Sequence, residues 1–357
     1  MKKILFLGLA AAALASCSQD EALEVVAPEA IGFSNAFVNN ATRAIDGTLN
    51  SGNLSSFQVY GSVQGTGTGE GSVNIFSGVE VKKKGDSETL ASNAVVYNNL
   101  WWYDGAYTQY WITGNNYQFA AIVNGTAASF TKDSKGKDNM PTTISYNASE
   151  QKDLLFAKYD ITGYNGSNNG VVEFTFDHLL SKVQFTFVNE MTSNTADIMY
   201  TYRVSNVKIT NAYMNGTYDI TKYNVTGQNP WAVTTTGDNA RAAVEFGNIS
   251  ATDDSSADAI QVGAIASLAS STSHFQKLLI PNTYTDMQIT CKIETLLNDV
   301  VIDTEETHTI APTSITLEAG HAYNFVISKG NPGEVIKFTV TEVHQWNPDT
   351  GGTDVPL

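Results

Sequence analysis

VVEFTFDHLLSKVQFTFVNE, residues 171–190, alternates apolar and polar side chains with a period of two and is rich in Val, Phe and Thr. An extended chain sends successive side chains to opposite faces, so this period reads as strand. The pattern recurs on both sides. SSFQVYGSV (55–63), YQFAAIVNG (117–125), DLLFAKYDI (153–161), RVSNVKITNAYM (203–214), QKLLIPN (276–282), MQITCKIET (287–295), AYNFVISKG (322–330) and EVIKFTVTEV (334–343) mostly follow it. Clusters of Gly, Asn, Asp and Ser between them supply turns. Few segments carry helical periodicity, and ADAIQVGAIASLAS (257–270) is ambiguous. Many short strands at fairly even spacing predict an all-β protein built from antiparallel β-sandwiches.

The chain of 357 residues exceeds the usual size of one hydrophobic core. Two domains of about 150 residues are therefore expected. The polar stretch NEMTSNTAD (189–197) is the predicted break, with GYNGSNNG (163–170) as its rival. The boundaries that follow are 44–190 for the first domain and 191–357 for the second. GTGTGEG (65–71) reads as a flexible loop.

The net charge of −16 argues against nucleic acid as a partner, because phosphates need a basic surface. The two cysteines, Cys17 and Cys291, have no evident disulfide role. Cys291 lies in an alternating stretch and is expected to be a buried, inert thiol. The five histidines, at 178, 274, 308, 321 and 344, are scattered and lack metal-ligand spacing. No G-x-S-x-G elbow, P-loop or dinucleotide fingerprint is present. Two carboxylates far apart in sequence could still meet in a glycosidase site. No motif supports an enzyme, a metal or a cofactor.

One aromatic cluster invites a binding role. LWWYDGAYTQYW (100–111) places Trp102, Tyr110 and Trp111 where they could stack a sugar ring or brace a neighbouring subunit. Core packing is the plainer alternative. A surface glycan-binding lipoprotein is thus the competing functional reading.

The amino terminus carries an export signal. MKKILFLGLAAAALASC has two lysines, an apolar stretch too short to span a bilayer, and small residues before Cys17. Its end, Leu14-Ala15-Ser16-Cys17, resembles the lipobox of bacterial lipoproteins. That resemblance implies cleavage after residue 16 and acylation at Cys17, with an accidental cysteine as the alternative. Two or more acyl chains suffice to hold a protein on a membrane.

Behind it comes PEAIGFSNAFVNNATRAIDG (28–47). Ile31, Phe33 and Phe37 are expected on one face of a strand, where each large side chain contributes about 1.5–3 kcal/mol when buried. Arg43 is the only arginine in the first 202 residues and sits in a polar, loop-like setting before Ala44. Such a site suits a trypsin-like or arginine-specific protease, unless Arg43 is simply a surface residue. Near the other end, Ile336, Phe338 and Val340 share a face, followed by Val343 and Trp346. Both segments contain Ile-x-Phe and could fill similar grooves.

Taken in order, the lipobox, short strand, TRA site, two β-domains and Trp-bearing final strand resemble the fimbrillin family, the type V pilins. YQFAA, DLLFA, FDHLLSKVQF, AGHAYNFVI and FTVTEVHQWN add to the likeness. The resemblance implies two transthyretin-like β-sandwich domains and a lipoprotein precursor on the outer membrane. It also implies a leader, 17–43, whose strand is removed by cleavage after Arg43. A neighbouring subunit's terminal strand, about 334–347, then takes its place, giving a surface fimbrium that supports adhesion to a host ligand.

Overall fold

The computed structural model describes residues 29–38, 49–65, 67, 71–166, 170–190, 192, 200–237, 240–246, 260–262, 276–298, 300–303, 306–331 and 334–345. Among these residues the regular elements are strands, apart from three single-turn 3-10 helices. The all-β class predicted from the alternation is what the chain adopts.

The stretch at 171–190 forms two strands, Val171–His178 and Ser181–Asn189. They join different sheets, with the fully buried Leu179 and Leu180 between them. The chain thus passes from one core to the next at these leucines, ahead of the polar stretch expected to divide it.

Val171–His178 belongs to an eight-stranded sheet. Its order is Gly32–Val38, Val171–His178, Leu155–Ile161, Asn116–Val123, Ser56–Gln64, Ser72–Lys83, Trp101–Tyr103 and Val95–Tyr97. The sheet curls until its two edges touch, because Gly32–Val38 also contacts the short strands at the far edge. Its inner face encloses a core of Ile31, Phe33, Phe57, Phe76, Phe119, Phe174 and their neighbours.

Asn116–Val123 shows why the sheet is apolar on both sides. Tyr117, Phe119, Ala121 and Val123 point into that inner core, whereas Ala120 and Ile122 join a second one. Covering the outer face is a four-stranded sheet ordered Trp231–Val233, Asn215–Asp219, Asp138–Asn147 and Thr126–Lys132. It draws strands from both halves of the chain and so ties them together.

The second core lies largely in the carboxyl half, between two further sheets. One runs Gln276–Leu279, Ser181–Asn189, His321–Lys329 and Lys337–Gln345; the other is built on Tyr200–Tyr213 and Gln288–Leu297. Cys291 is fully buried there as a free thiol, pushed up to about 12 by burial.

Candidate functional site: the seat of the first strand

Gly32–Val38 pairs in parallel with Val171–His178, from Gly32 opposite Val171 to Val38 opposite Phe176. It is an unusual edge strand, since core residues surround it. Ile31 and Phe33 are buried at 0% and 1% exposure. The Phe33 ring meets four others: edge-on against Phe76, Tyr103 and Phe119 at 5.3, 5.6 and 6.2 Å, and stacked on Phe174 at 6.0 Å.

The pairing register shifts between Ser34 and Phe37, a β-bulge that changes which residues face inward. Ala36 and Val38 are buried, while Phe37 is 53% exposed. Phe37 therefore does not share the inward face expected for it, because strict alternation fails across the bulge. Ser34 is also buried, and its hydroxyl has no hydrogen-bond partner among the described residues.

The aromatic stretch 100–111 holds the other side of this strand. Ile31 donates its backbone N–H to the Gln109 carbonyl at 2.8 Å, and Trp111 donates to the Glu29 carbonyl at 3.0 Å. The Tyr103 hydroxyl donates to the Ile31 carbonyl at 2.8 Å. Gly32 donates to Gly170 at 2.7 Å, and Val38 donates to the Ser51 hydroxyl at 2.9 Å. Burial raises the Tyr103 hydroxyl well above its ordinary pKa, keeping it protonated and able to donate. Tyr164, whose hydroxyl donates to a Glu29 carboxylate oxygen at 3.3 Å, is pushed up to about 12 by burial and then by that neighbouring negative charge.

These contacts decide what the aromatic cluster can offer a ligand. Trp111 is buried and stacks on Tyr164 at 4.3 Å, so it is absent from the surface on which Tyr110 is half exposed. Trp102 points away from Trp101 and Tyr103, with the Lys82 ammonium 5.8 Å from its ring centre. Trp102, Tyr110 and Trp111 do not assemble into one stacking platform.

The terminal strand Lys337–Gln345 is seated quite differently. Among the described residues it lies at the end of its sheet, antiparallel to His321–Lys329. Phe338 meets the Phe325 ring at 5.6 Å, and both Ile336 and Phe338 pack partly buried against the core. Val340 is 39% exposed, Val335 is 86% exposed, and Lys337 pairs with Glu190 at 2.6 Å. Val343 belongs to this strand. Cys17, Arg43, Ala44 and Trp346 lie outside the described residues.

Sequence reasoning missed Tyr97, Tyr103 and Gly170 as parts of the seat, because each lies far along the chain from the first strand, and it missed Ser51, 13 residues from Val38. Among the described residues no group of three or more His, Cys, Asp or Glu is placed to hold a metal, and no helix is long and apolar enough to cross a membrane.

A sequence model described as fimbrillin-like matches residues 42–346. The fold is similar to that of a fimbrial protein from Bacteroides vulgatus, at a TM-score of 0.56 and 15% identity, covering 89% of this chain and 100% of that one. A candidate cell adhesion protein from Bacteroides ovatus aligns at a TM-score of 0.46 and 17% identity, covering 90% of this chain and 99% of that one. No curated protein sequence matches the chain.

Proposed function

The chain belongs to the fimbrillin-like family, and from that premise we propose that it is a pilus subunit whose first strand is a removable plug. The observation that carries this reading is the placement of Phe33. A residue caged by four rings sits on a strand that precedes Arg43, the only arginine in the first 202 residues. While the strand is seated, the groove is filled and the precursor cannot accept another strand.

Cleavage after Arg43 separates the plug from the rest of the chain. Its departure uncovers the cage of Phe76, Tyr103, Phe119 and Phe174, together with the unpaired edge of Val171–His178. Exposed apolar surface beside free backbone groups invites strand addition. The terminal strand of a second subunit supplies Ile336 and Phe338 at the spacing of Ile31 and Phe33. Because that contact joins unlike surfaces, it need not close and propagates as a filament. Acylation at Cys17 holds the precursor on the outer membrane, and cleavage at Arg43 frees the subunit from that anchor to act at the cell surface in adhesion.

Trypsin treatment of the purified precursor tests the reading. The product is expected to begin at Ala44 and to form a ladder of polymers. Arg43→Ala is expected to stay monomeric, and deletion of residues 334–357 to leave a cleaved subunit that cannot donate. Polymerisation of either variant at the wild-type rate contradicts the proposal.

A further inference from the structure

The groove also contains a place where the occupant's side chain meets an obstacle. A Cβ added to Gly32 stands 3.2 Å from Cδ2 of Tyr97 and 3.4 Å from the Gly170 carbonyl oxygen. The contact with Gly170 is an ordinary one, whereas the approach to Tyr97 is tight enough that the tyrosine ring must give way by a few tenths of an ångström to admit a side chain. Glycine serves here for close approach.

Tyr97 is therefore the obstacle, and as a side chain it can adjust. It ends the short strand Val95–Tyr97, which turns back into Trp101–Tyr103 at the far edge of the sheet. Three residues, Asn98, Asn99 and Leu100, connect Tyr97 to Trp101 opposite it; Asn98 and Asn99 have φ values of 48° and 54°, and Leu100 donates to the Tyr97 carbonyl at 3.0 Å. That is a tight hairpin with a three-residue loop. Among the described residues the hairpin pairs on its sheet side with Ser72–Lys83, leaving Tyr97 at the rim.

The subunit's own tail lacks a glycine at the matching position. When Ile336 and Phe338 are aligned with Ile31 and Phe33, Lys337 falls where Gly32 sits. The other aromatic residue of the tail, Trp346, is preceded by Gln345. Neither register presents a glycine to Tyr97.

We propose that Tyr97 is a specificity gate, reading the residue that occupies the place of Gly32 in whatever strand fills the groove. It fits the glycine of the plug and obstructs Lys337 of an incoming tail until the hairpin is displaced. The extension to the tail rests on the strand-exchange reading; the effect on the plug does not. The gate keeps the precursor's own strand favoured and makes hairpin displacement part of tail entry. A tail with glycine at position 337 enters without that displacement.

Two coupled comparisons on the full chain test the gate. In the intact precursor, Gly32→Ala is expected to lower the melting temperature, and most of that loss disappears in a Tyr97→Ala background. Additive losses overturn the gate. After trypsin cleavage, Tyr97→Ala is expected to speed polymerisation, with the gain lost when Lys337→Gly is also present, a non-additivity of about threefold or more. Plug release alone cannot produce this pattern, because residue 337 is not part of the plug. An equal gain in both backgrounds overturns the gate for the tail. Coupling in the thermal comparison, with cleaved wild type remaining monomeric, upholds the gate on the plug and brings down strand exchange instead.

Discussion

The first and last strands share an Ile-x-Phe core, yet the molecule treats them in opposite ways. Gly32–Val38 is enclosed: it pairs with Val171–His178, is held by residues 109–111, and puts Phe33 among four rings. Among the described residues Lys337–Gln345 lies on one neighbouring strand, with Phe338 against one ring and Val340 substantially exposed. Removing the first strand opens a core, whereas lifting the last uncovers a sheet edge. The difference assigns direction to the proposed exchange. In that proposal the amino-terminal side is the receptor, and the carboxyl-terminal strand is the segment with more to gain from a deeper seat.

Breaking this contrast at its strongest point calls for Phe33→Ala. Loss of a fully buried ring is expected to destabilise the intact precursor by about 3–5 kcal/mol in chemical denaturation. A much smaller loss means that the cage collapses easily and the first strand is not integral to the core.

Alkaline pH sharpens the same contrast. Tyr164 has a folded pKa near 12 against an ordinary value of 10.0. Folded protein therefore keeps a proton that the unfolded chain releases, and this contribution to stability is present below pH 10 and lost as pH rises towards 12. The urea midpoint should fall across that window. Tyr164→Phe, which keeps the ring beside Trp111 but cannot ionise, should show a shallower fall; an unchanged slope contradicts the assignment.

Phe338→Ala probes the other strand. Its half-buried ring predicts a loss of about 1–2 kcal/mol in the precursor, and a loss equal to that of Phe33→Ala erases the contrast. The smallest effect belongs to Phe37→Ala, within about 0.5 kcal/mol, because the bulge turns this ring to solvent. A large loss there restores the uninterrupted alternation that the bulge interrupts.

The strands themselves were legible because period-two patterning is a local property. The runs at 117–125 and 171–190 are strands where alternation placed them, and Cys291 is the buried thiol its neighbours predicted. Phe37 was misjudged because a bulge shifts phase without leaving a sequence mark as strong as the alternation it interrupts. The aromatic stretch 100–111 was visible as unusual, but its attachment to Ile31 was not. Tyr103 and Ile31 are 72 residues apart, and pairing over that distance depends on how the whole sheet curls. The sheet joining Asp138–Asn147 to Asn215–Asp219 was hidden for the same reason.

The most direct measurement is a cryo-electron microscopy map of the trypsin-matured fibre, read at the cage of Phe76, Tyr103, Phe119 and Phe174. The account predicts that the ring inside it is Phe338 from an adjoining subunit, on a continuous strand leading back to that subunit's body. Density that traces instead to Phe33, with each terminal strand still lying on its own His321–Lys329, contradicts it.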